Sequence, residues 1–367
     1  MGATMLKKTL FGVVLGLATL TASAVLWPRT TEATSRVETT PRVERILASM
    51  SLDDKISQMM MSYPPLSKTE PVTVGSVIFV GNLMKSEEAV KTRVQDLQSR
   101  ANIPLLVAAD VEGGQLNKLG FLEGLESLPS NRDIATEEQA HEWGYKVGMG
   151  MNSLGLNMAL APVLDAAEGG VMAESGRSFD GDPETAGALG RAYCRGLGRA
   201  GVAGVGKHWP GYGSLAKNTD HHFVVTERSH SEVQRQARSF IMVGDDMAAV
   251  MLANVGYSSF GGKPAILSSE LVDWAHEHGW LTITDDLAIE MLAEATGGDQ
   301  EEVVRQAFLA GNDILLTTAP IDWDKAVDYR GIIKQMVVED PSLEARVDDS
   351  VRRVLMAKES IGLLEGF

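Results

Sequence analysis

Val202-Ala203-Gly204-Val205-Gly206-Lys207-His208-Trp209-Pro210-Gly211-Tyr212-Gly213 joins a short apolar run to a cation, an imidazole and a Gly/Pro-rich loop. The run at 202–206 reads as a buried strand, and the charged residues fall at its end. Gly211 and Gly213 let the backbone turn without a Cβ penalty, and Pro210 stiffens the exit. Alternating β/α scaffolds carry their chemistry on loops at the carboxyl ends of strands. The stretch therefore predicts both a scaffold and the place where its functional groups converge.

On either side of it, short apolar runs alternate with longer amphipathic segments. Eight strands are predicted, at 58–62, 76–80, 105–109, 157–161, 202–206, 250–253, 281–284 and 314–317. Helical spacing separates most of them, notably at 137–154, 183–200, 231–243, 268–277 and 301–310. Val43, Ile46, Leu47 and Met50 also have helical spacing, and Ser51-Leu52-Asp53-Asp54 offers an N-cap with acids in the first turn. This order predicts an α/β fold, a TIM-like (β/α)8 barrel forming a single domain over 41–367. No Gly-rich dinucleotide fingerprint follows the first strand, which argues against an open doubly wound sheet. An amphipathic segment at 347–364 is expected to pack against the outside of the barrel.

The 367 residues are 44% hydrophobic with 13 prolines, a globular composition able to bury a large core. A formal charge of −16 and the lack of a basic stripe exclude a nucleic-acid partner. Lys7-Lys8, the apolar run from Thr9 to Leu20 and then Thr21-Ala22-Ser23-Ala24 describe a secretory signal peptide. Apolar character continues to Trp27, so 1–27 is expected either to be cleaved or to remain as a membrane anchor through 9–27. No cysteine near that site offers a lipid attachment point. Residues 28–40, rich in Thr, Ser, Glu and Arg, read as a flexible tether. The expected location is exported: periplasmic, extracellular or anchored at the cell envelope. Cys194 is the only cysteine, so no intrachain disulfide forms, and its helical setting suits a small buried side chain.

In a barrel the polar residues that follow the strands share one rim. Here they are Asp110, Asp165, Lys207, His208, Asn254, Asp285 and Asp286. Asp285 ends Trp280-Leu281-Thr282-Ile283-Thr284 and projects at the rim, while Asp286 suits the first turn of a helix running on through 287–291. Asp110 precedes Val111-Glu112-Gly113-Gly114, where a carboxylate serves as a sugar clamp, a metal ligand or a loop-stabilising acid. No HExxH or HxE…CxxC spacing is present, so no metal and no cofactor is expected. His141, His230, His276 and His278 fall in polar helical patterns and read as solvated surface groups.

Lys207-His208-Trp209-Pro210-Gly211-Tyr212-Gly213 resembles the K-H-F-P-G-H-G signature of family 3 glycoside hydrolases, in the β-N-acetylglucosaminidase branch that consists of the barrel alone. The likeness covers most of 43–364. Asp110-Val111-Glu112-Gly113-Gly114 is similar to the family's D-x-E-G-G, Ala161-Pro162-Val163-Leu164-Asp165 to its A-P-V-L-D, and Arg177-Ser178-Phe179 to its R-S-F. Thr284-Asp285-Asp286-Leu287 is similar to the segment bearing the nucleophile. Ser350-Val351-Arg352-Arg353-Val354-Leu355 with Lys358 is similar to the closing helix.

The resemblance implies retaining hydrolysis of a terminal β-linked N-acetylhexosamine, and the export signal adds the expectation that peptidoglycan fragments carry it. Asp285 would be the nucleophile, and Asp110, Lys118, Arg177, Lys207 and His208 would hold the sugar. The family's proton donor is a histidine in a D-[S/T]-H sequence. Without a gap, Asn218-Thr219-Asp220 occupies that place, and a carboxylate replaces the imidazole. With two extra loop residues, Asp220-His221-His222 is the dyad, and Asp220 orients His222. Gln115, Tyr212 and Asn254 also depart from the family pattern, and Lys118 replaces an arginine. These departures keep open a catalytically impaired glycan-binding protein, or a related β-glycosidase or phosphorylase.

Overall fold

The computed structural model describes residues 39–166, 169–216, 219, 223–320 and 328–367. The expectations for the signal segment 1–27, and for the tether up to 38, lie outside these residues. Folded structure begins where the pattern places it. Thr40 caps the helix Pro41–Ser49, accepting from the Val43 N–H, and Pro41 fills the first turn where its missing N–H costs nothing. The next helix, Leu52–Gln58, opens with a capping box in which Ser51 and Asp54 satisfy each other's backbone N–H groups.

Ten short strands follow among the described residues: β1 Met60–Tyr63, β2 Ser76–Phe79, β3 Leu106–Ala109, β4 Met158–Ala159, β5 Ala203–Trp209, β6 Val224–Thr226, β7 Ala249–Leu252, β8 Val255–Tyr257, β9 Leu281–Thr284 and β10 Leu315–Pro320. Eight of them lie side by side in the order β10-β1-β2-β3-β4-β5-β7-β9, every pair parallel. The ring closes between β9 and the start of β10: Thr284 N donates to Ile314 O at 3.0 Å and Ile314 N to Thr282 O at 2.9 Å. Helices lie in the connections between the other successive ring strands, while β1 and β2 are joined by 64–75 without one. The architecture is the expected (β/α)8 barrel. β6 and β8 pair with each other outside the ring and were not anticipated from sequence.

Strand periodicity sorts the core into two layers. Met61, Ile78, Leu106, Ala108, Met158, Leu160, Ala203, Val205, Ala249, Met251, Leu281, Ile283, Ile314 and Leu316 fill the barrel interior. Their neighbours, such as Val77, Phe79, Val107 and Val250, face the surrounding helices. Two of those helices, Glu137–Ser153 and Pro183–Arg199, touch backbone to backbone. A Cβ on Gly144 would lie 2.1 Å from Tyr193 O, and one on Gly196 would lie 2.3 Å from His141 O. Cys194 is buried within this packing.

Three expectations need correction. The C-terminal helix Leu343–Ser360 does not simply lie against the outside: Val354 and Ala357, with Ile361 and Leu363 beyond its end, pack against the interior strand residues and close the floor of the barrel. The floor also buries polar groups. Asp313, fully buried, accepts from His276 Nε2 at 3.0 Å, Thr282 N at 3.0 Å, Ser350 Oγ at 2.6 Å and Arg353 Nη1 at 2.8 Å. His276 is therefore part of an internal network. His278 is half-buried, its ring stacked 4.6 Å from that of Trp280. Finally, Asp286 does not begin a helix, because the helix there is Glu290–Ala295.

Candidate active site

The inward registers of three strands end in charged side chains. Ala108 is followed two residues on by Asp110, Val205 by Lys207 and Ile283 by Asp285, so strand alternation carries each of these groups to the mouth. Trp209 holds β5 in that register from behind. Its indole is fully buried against Trp274, Trp280 and Phe240, and its Nε1 donates to Leu271 O at 2.9 Å.

Lys207 bridges two carboxylates. Its Nζ meets Glu112 Oε1 at 2.6 Å and also contacts Asp110 Oδ1. Arg177 forms a fork on the same Glu112, Nε to Oε2 at 2.6 Å and Nη2 to Oε1 at 2.7 Å. The Glu112 side chain is 1% exposed and that of Lys207 3%, whereas Asp110 is 38% exposed and Arg177 25%. Glu112 is thus the internal counter-charge, and Asp110 and Arg177 present the edge of the cluster to solvent. Burial would raise the Glu112 carboxyl, but Lys207 and Arg177 hold it well below the usual carboxylate range. Burial would likewise lower Lys207, and Asp110 with Glu112 more than offset it, so the ammonium stays charged. The result is a rigid set of alternating charges suited to hydroxyl groups, which both donate and accept.

Asp165, fully buried, organises the loop after β5. Its Oδ1 accepts from Tyr212 N at 2.8 Å, both oxygens accept from His208 N at 3.2 Å, and Oδ2 accepts from His208 Nδ1 at 2.7 Å. A carboxylate only accepts, so Nδ1 carries the proton and Nε2 is the ring nitrogen left for another partner. Tyr212 packs its ring 4.9 Å from that of His208. Burial first, and the negative charge of Asp285 next, hold the Tyr212 phenol well above its ordinary value, so it keeps its proton.

Asp285 is half-buried, its backbone N–H bonded to Leu252 O at 3.3 Å and its Oδ1 accepting from Asp286 N at 2.8 Å. It therefore stands at the opening rather than in the wall. Asp286 has a separate task. Its Oδ1 accepts from Ala288 N at 2.9 Å and Thr318 N at 3.0 Å, and its Oδ2 from Thr318 Oγ1, fastening the loop after β9 to β10. It stabilises structure, as expected, though by tying a loop rather than capping a helix.

Of the residues singled out from sequence, Asp110, Arg177, Lys207 and His208 come together with Asp285 at one rim. Lys118 stands half-buried on the loop after β3, with no ion pair to the cluster among the described residues. Asp220 and His222, the two candidate proton donors, lie outside the described residues, as do Asn218 and His221. Sequence reasoning left Glu112 out of the sugar-holding set, although its place two residues after Asp110 puts it on the same face of extended chain. Asn254 is 2% exposed, and neither atom of its amide has a hydrogen-bond partner among the described residues.

Known proteins resemble this chain in sequence and in fold. The glycosyl hydrolase family 3 N terminal domain matches residues 51–357. A beta-hexosaminidase of Pseudomonas aeruginosa is 32% identical over 256 residues, covering 66% of this chain and 74% of its own. One from Idiomarina loihiensis is 26% identical over 315 residues, covering 80% of this chain and 89% of its own. The crystal structure of a beta-N-acetylhexosaminidase from Beutenbergia cavernae superposes with a TM-score of 0.74 at 26% identity, over 85% of this chain and 99% of that one. A family 3 beta-N-acetylglucosaminidase from a Paenibacillus species gives 0.73 at 26% identity, over 86% of this chain and 63% of that one.

Proposed function

This chain belongs to glycosyl hydrolase family 3 and is a glycoside hydrolase acting on O-glycosyl bonds; on that premise we propose that it is a retaining exo-β-N-acetylglucosaminidase. The observation that carries the reading is Asp285, half-buried at the end of an inward-facing strand and sharing its rim with the Asp110, Lys207, Glu112 and Arg177 cluster. A carboxylate so placed can reach a sugar whose hydroxyls are held by the cluster and by His208 Nε2.

In the first step an Asp285 oxygen attacks the anomeric carbon as the bond to the glycosidic oxygen breaks, and a proton is delivered to the departing oxygen. An acylal-type glycosyl ester of Asp285 results. In the second step the group that gave its proton takes one from water, whose oxygen attacks the same carbon and releases Asp285. We assign the proton to His222 oriented by Asp220, with Asp220 acting directly as the competing assignment. The fixed charges of the cluster need no reorganisation as the positive charge on the sugar develops, which is where preorganised sites gain rate.

The specific sugar is supported by the names of the relatives. An exported enzyme working on peptidoglycan fragments is supported by the sequence pattern of 1–27. Incubation with an aryl N-acetyl-β-glucosaminide tests the reading. Release of the phenol that disappears in Asp285→Ala is expected, and no release by the wild type would overturn it. Loss of proton transfer in His222→Ala together with a loss in Asp220→Asn would favour the histidine held by the aspartate, and loss in Asp220→Asn with none in His222→Ala would favour the aspartate acting directly. Release of N-acetylglucosamine from muropeptides, and recovery of the chain in the envelope fraction, test the substrate and the location.

A further inference from the structure

We infer that Asp286 is a positioning residue that clamps the nucleophile Asp285 by its Oδ1, so that Oδ2 is the oxygen that bonds to the sugar. The inference rests on the hydrolytic reading above and deepens it, because it names the attacking atom and the groups that aim it.

The clamp starts at the backbone. The Asp286 N–H donates to Asp285 Oδ1 at 2.8 Å, and the Asp285 N–H donates to Leu252 O of β7 at 3.3 Å. A carboxylate tethered at its backbone and at one oxygen keeps little freedom about its side-chain torsions. An N–H aims a carboxylate only if its own backbone is fixed, and the Asp286 side chain fixes it. Asp286 Oδ1 accepts from Ala288 N at 2.9 Å and Thr318 N at 3.0 Å, and its Oδ2 accepts from Thr318 Oγ1. Leu287, fully buried, adds a bond from its N–H to Leu316 O at 3.0 Å. The chain leaving β9 is thus fastened to β10 at two successive residues, directly after the nucleophile.

Tyr63 supports the far side of this fastening. It stands at the mouth end of β1, beside β10, and packs against the interior layer within hydrogen-bonding reach of the Thr318 side chain. Burial first, and the charge of Asp286 next, raise the Tyr63 phenol above its ordinary value. It stays a neutral donor to Thr318, whose own hydroxyl proton is given to Asp286.

In the attack, Asp285 Oδ2 gives an electron pair to the anomeric carbon as the bond to the glycosidic oxygen breaks, and Oδ1 becomes the carbonyl oxygen of the ester. When water displaces the ester, Oδ2 departs with its electron pair, and the Asp286 N–H on Oδ1 steadies the carboxylate that reforms. Both steps use the clamp, and neither takes a proton from it.

In Asp286→Ala we expect kcat/KM for phenyl and dinitrophenyl N-acetyl-β-glucosaminides to fall about 10- to 100-fold, the scale of a modest misplacement of a reacting group. The two substrates should lose alike, because attack is common to both whereas the need for a proton is not. Competitive inhibition by N-acetylglucosamine should change by less than about a factor of two, since the charged cluster holds the sugar. Asp286→Asn separates aim from charge. Its amide can accept at Oδ1 and donate from Nδ2 to Thr318 Oγ1, so activity should recover to within about threefold of wild type. Thr318→Val, which leaves both backbone bonds to Asp286, should lose about three- to tenfold with inhibition unchanged, and it carries the test should Asp286→Ala fail to fold. In crystals treated with a fluorinated N-acetylglucosaminyl fluoride that traps the ester, the sugar should sit on Oδ2 with Oδ1 facing the Asp286 N–H.

Full activity in the folded alanine or valine variant, a parallel loss of inhibition, an asparagine variant no better than alanine, or a sugar on Oδ1 overturns the inference and leaves the hydrolase reading intact. A wild type that cleaves neither substrate overturns the hydrolase reading, and this inference with it.

Discussion

Replacing Glu112 by Gln removes one negative charge from between two cations and leaves Lys207, 3% exposed, facing Arg177, with the partly exposed Asp110 and the more indirect charge of Asp165 to offset them. Breaking a buried ion pair from one side costs about 3–5 kcal/mol, because the surviving charge stays desolvated. The described part of the chain, 39–367, has about 330 residues, and at about 2.1 cal/mol/K per residue its unfolding entropy is roughly 0.7 kcal/mol/K. The melting temperature should therefore drop by about 4–7 °C. The pH dependence has a definite sign. The folded carboxyl titrates below its ordinary 4.5, so its contribution is fully present above that value and is lost as pH falls through the depressed one. The difference between wild type and variant should stay level through neutral pH and shrink only under acid conditions. Calorimetry on Glu112→Gln and on Glu112→Gln with Lys207→Met gives the second arm: removing both charges should recover more than half of the loss. A single variant that melts within about 1 °C of wild type, with no coupling in the double one, would refute the idea that these charges form one buried unit.

Three other perturbations follow from the same structure. Lys358 is fully buried with Gln58 Oε1, 2.6 Å away, as its only side-chain hydrogen-bond partner among the described residues, and burial pushes its ammonium down to about 7. Because the folded state resists the proton, the cost is full below 7 and fades as pH rises toward the ordinary 10.5. Lys358→Met should stabilise by roughly 2–4 kcal/mol at or below pH 7, taking on the order of 5 kcal/mol for the shift less the loss at Gln58, with a shrinking gain in melts at higher pH. Asn254→Leu removes a buried amide without partners among the described residues and should raise stability by about 1–3 kcal/mol in urea titrations; a loss of stability would show that the amide is satisfied. Asp165→Asn gives up charge-assisted bonds to His208 and Tyr212, each worth about 1.5–3 kcal/mol, so KM should rise and the His208 ring should lose its fixed tautomer by NMR.

The barrel was legible because every ring strand is an apolar run bounded by turn residues, and each predicted strand overlaps an observed one. β5 extends further than its apolar run, through Lys207 and His208 to Trp209, because a charged side chain facing the mouth is compatible with strand geometry. β6 and β8 escaped notice since three residues show no usable period and Val225 is exposed. The rim residues could be read from a simple rule, polar groups directly after strands, and that rule found Asp110, Asp165, Lys207, His208 and Asp285. It gave no weight to Glu112, because a residue's role as counter-charge depends on Arg177, 65 positions away. His276 was misread for the same reason: its partner Asp313 is 37 positions distant, and a polar helix face looks solvated until something covers it. The closing helix looked like an outer one because its stripe holds Val347 and Val351 toward the outer core and Val354 and Ala357 toward the interior, a division that only the fold reveals.

The central claim is that Asp285 bonds to the sugar. Rapid quenching of the enzyme during turnover of a dinitrophenyl N-acetyl-β-glucosaminide, followed by intact mass and peptide mapping, tests it directly. The account predicts a protein heavier by one N-acetylglucosaminyl group, with the added mass on the peptide containing Asp285 and absent from Asp285→Ala. An adduct on another residue, or turnover that releases a product of inverted configuration, would contradict it.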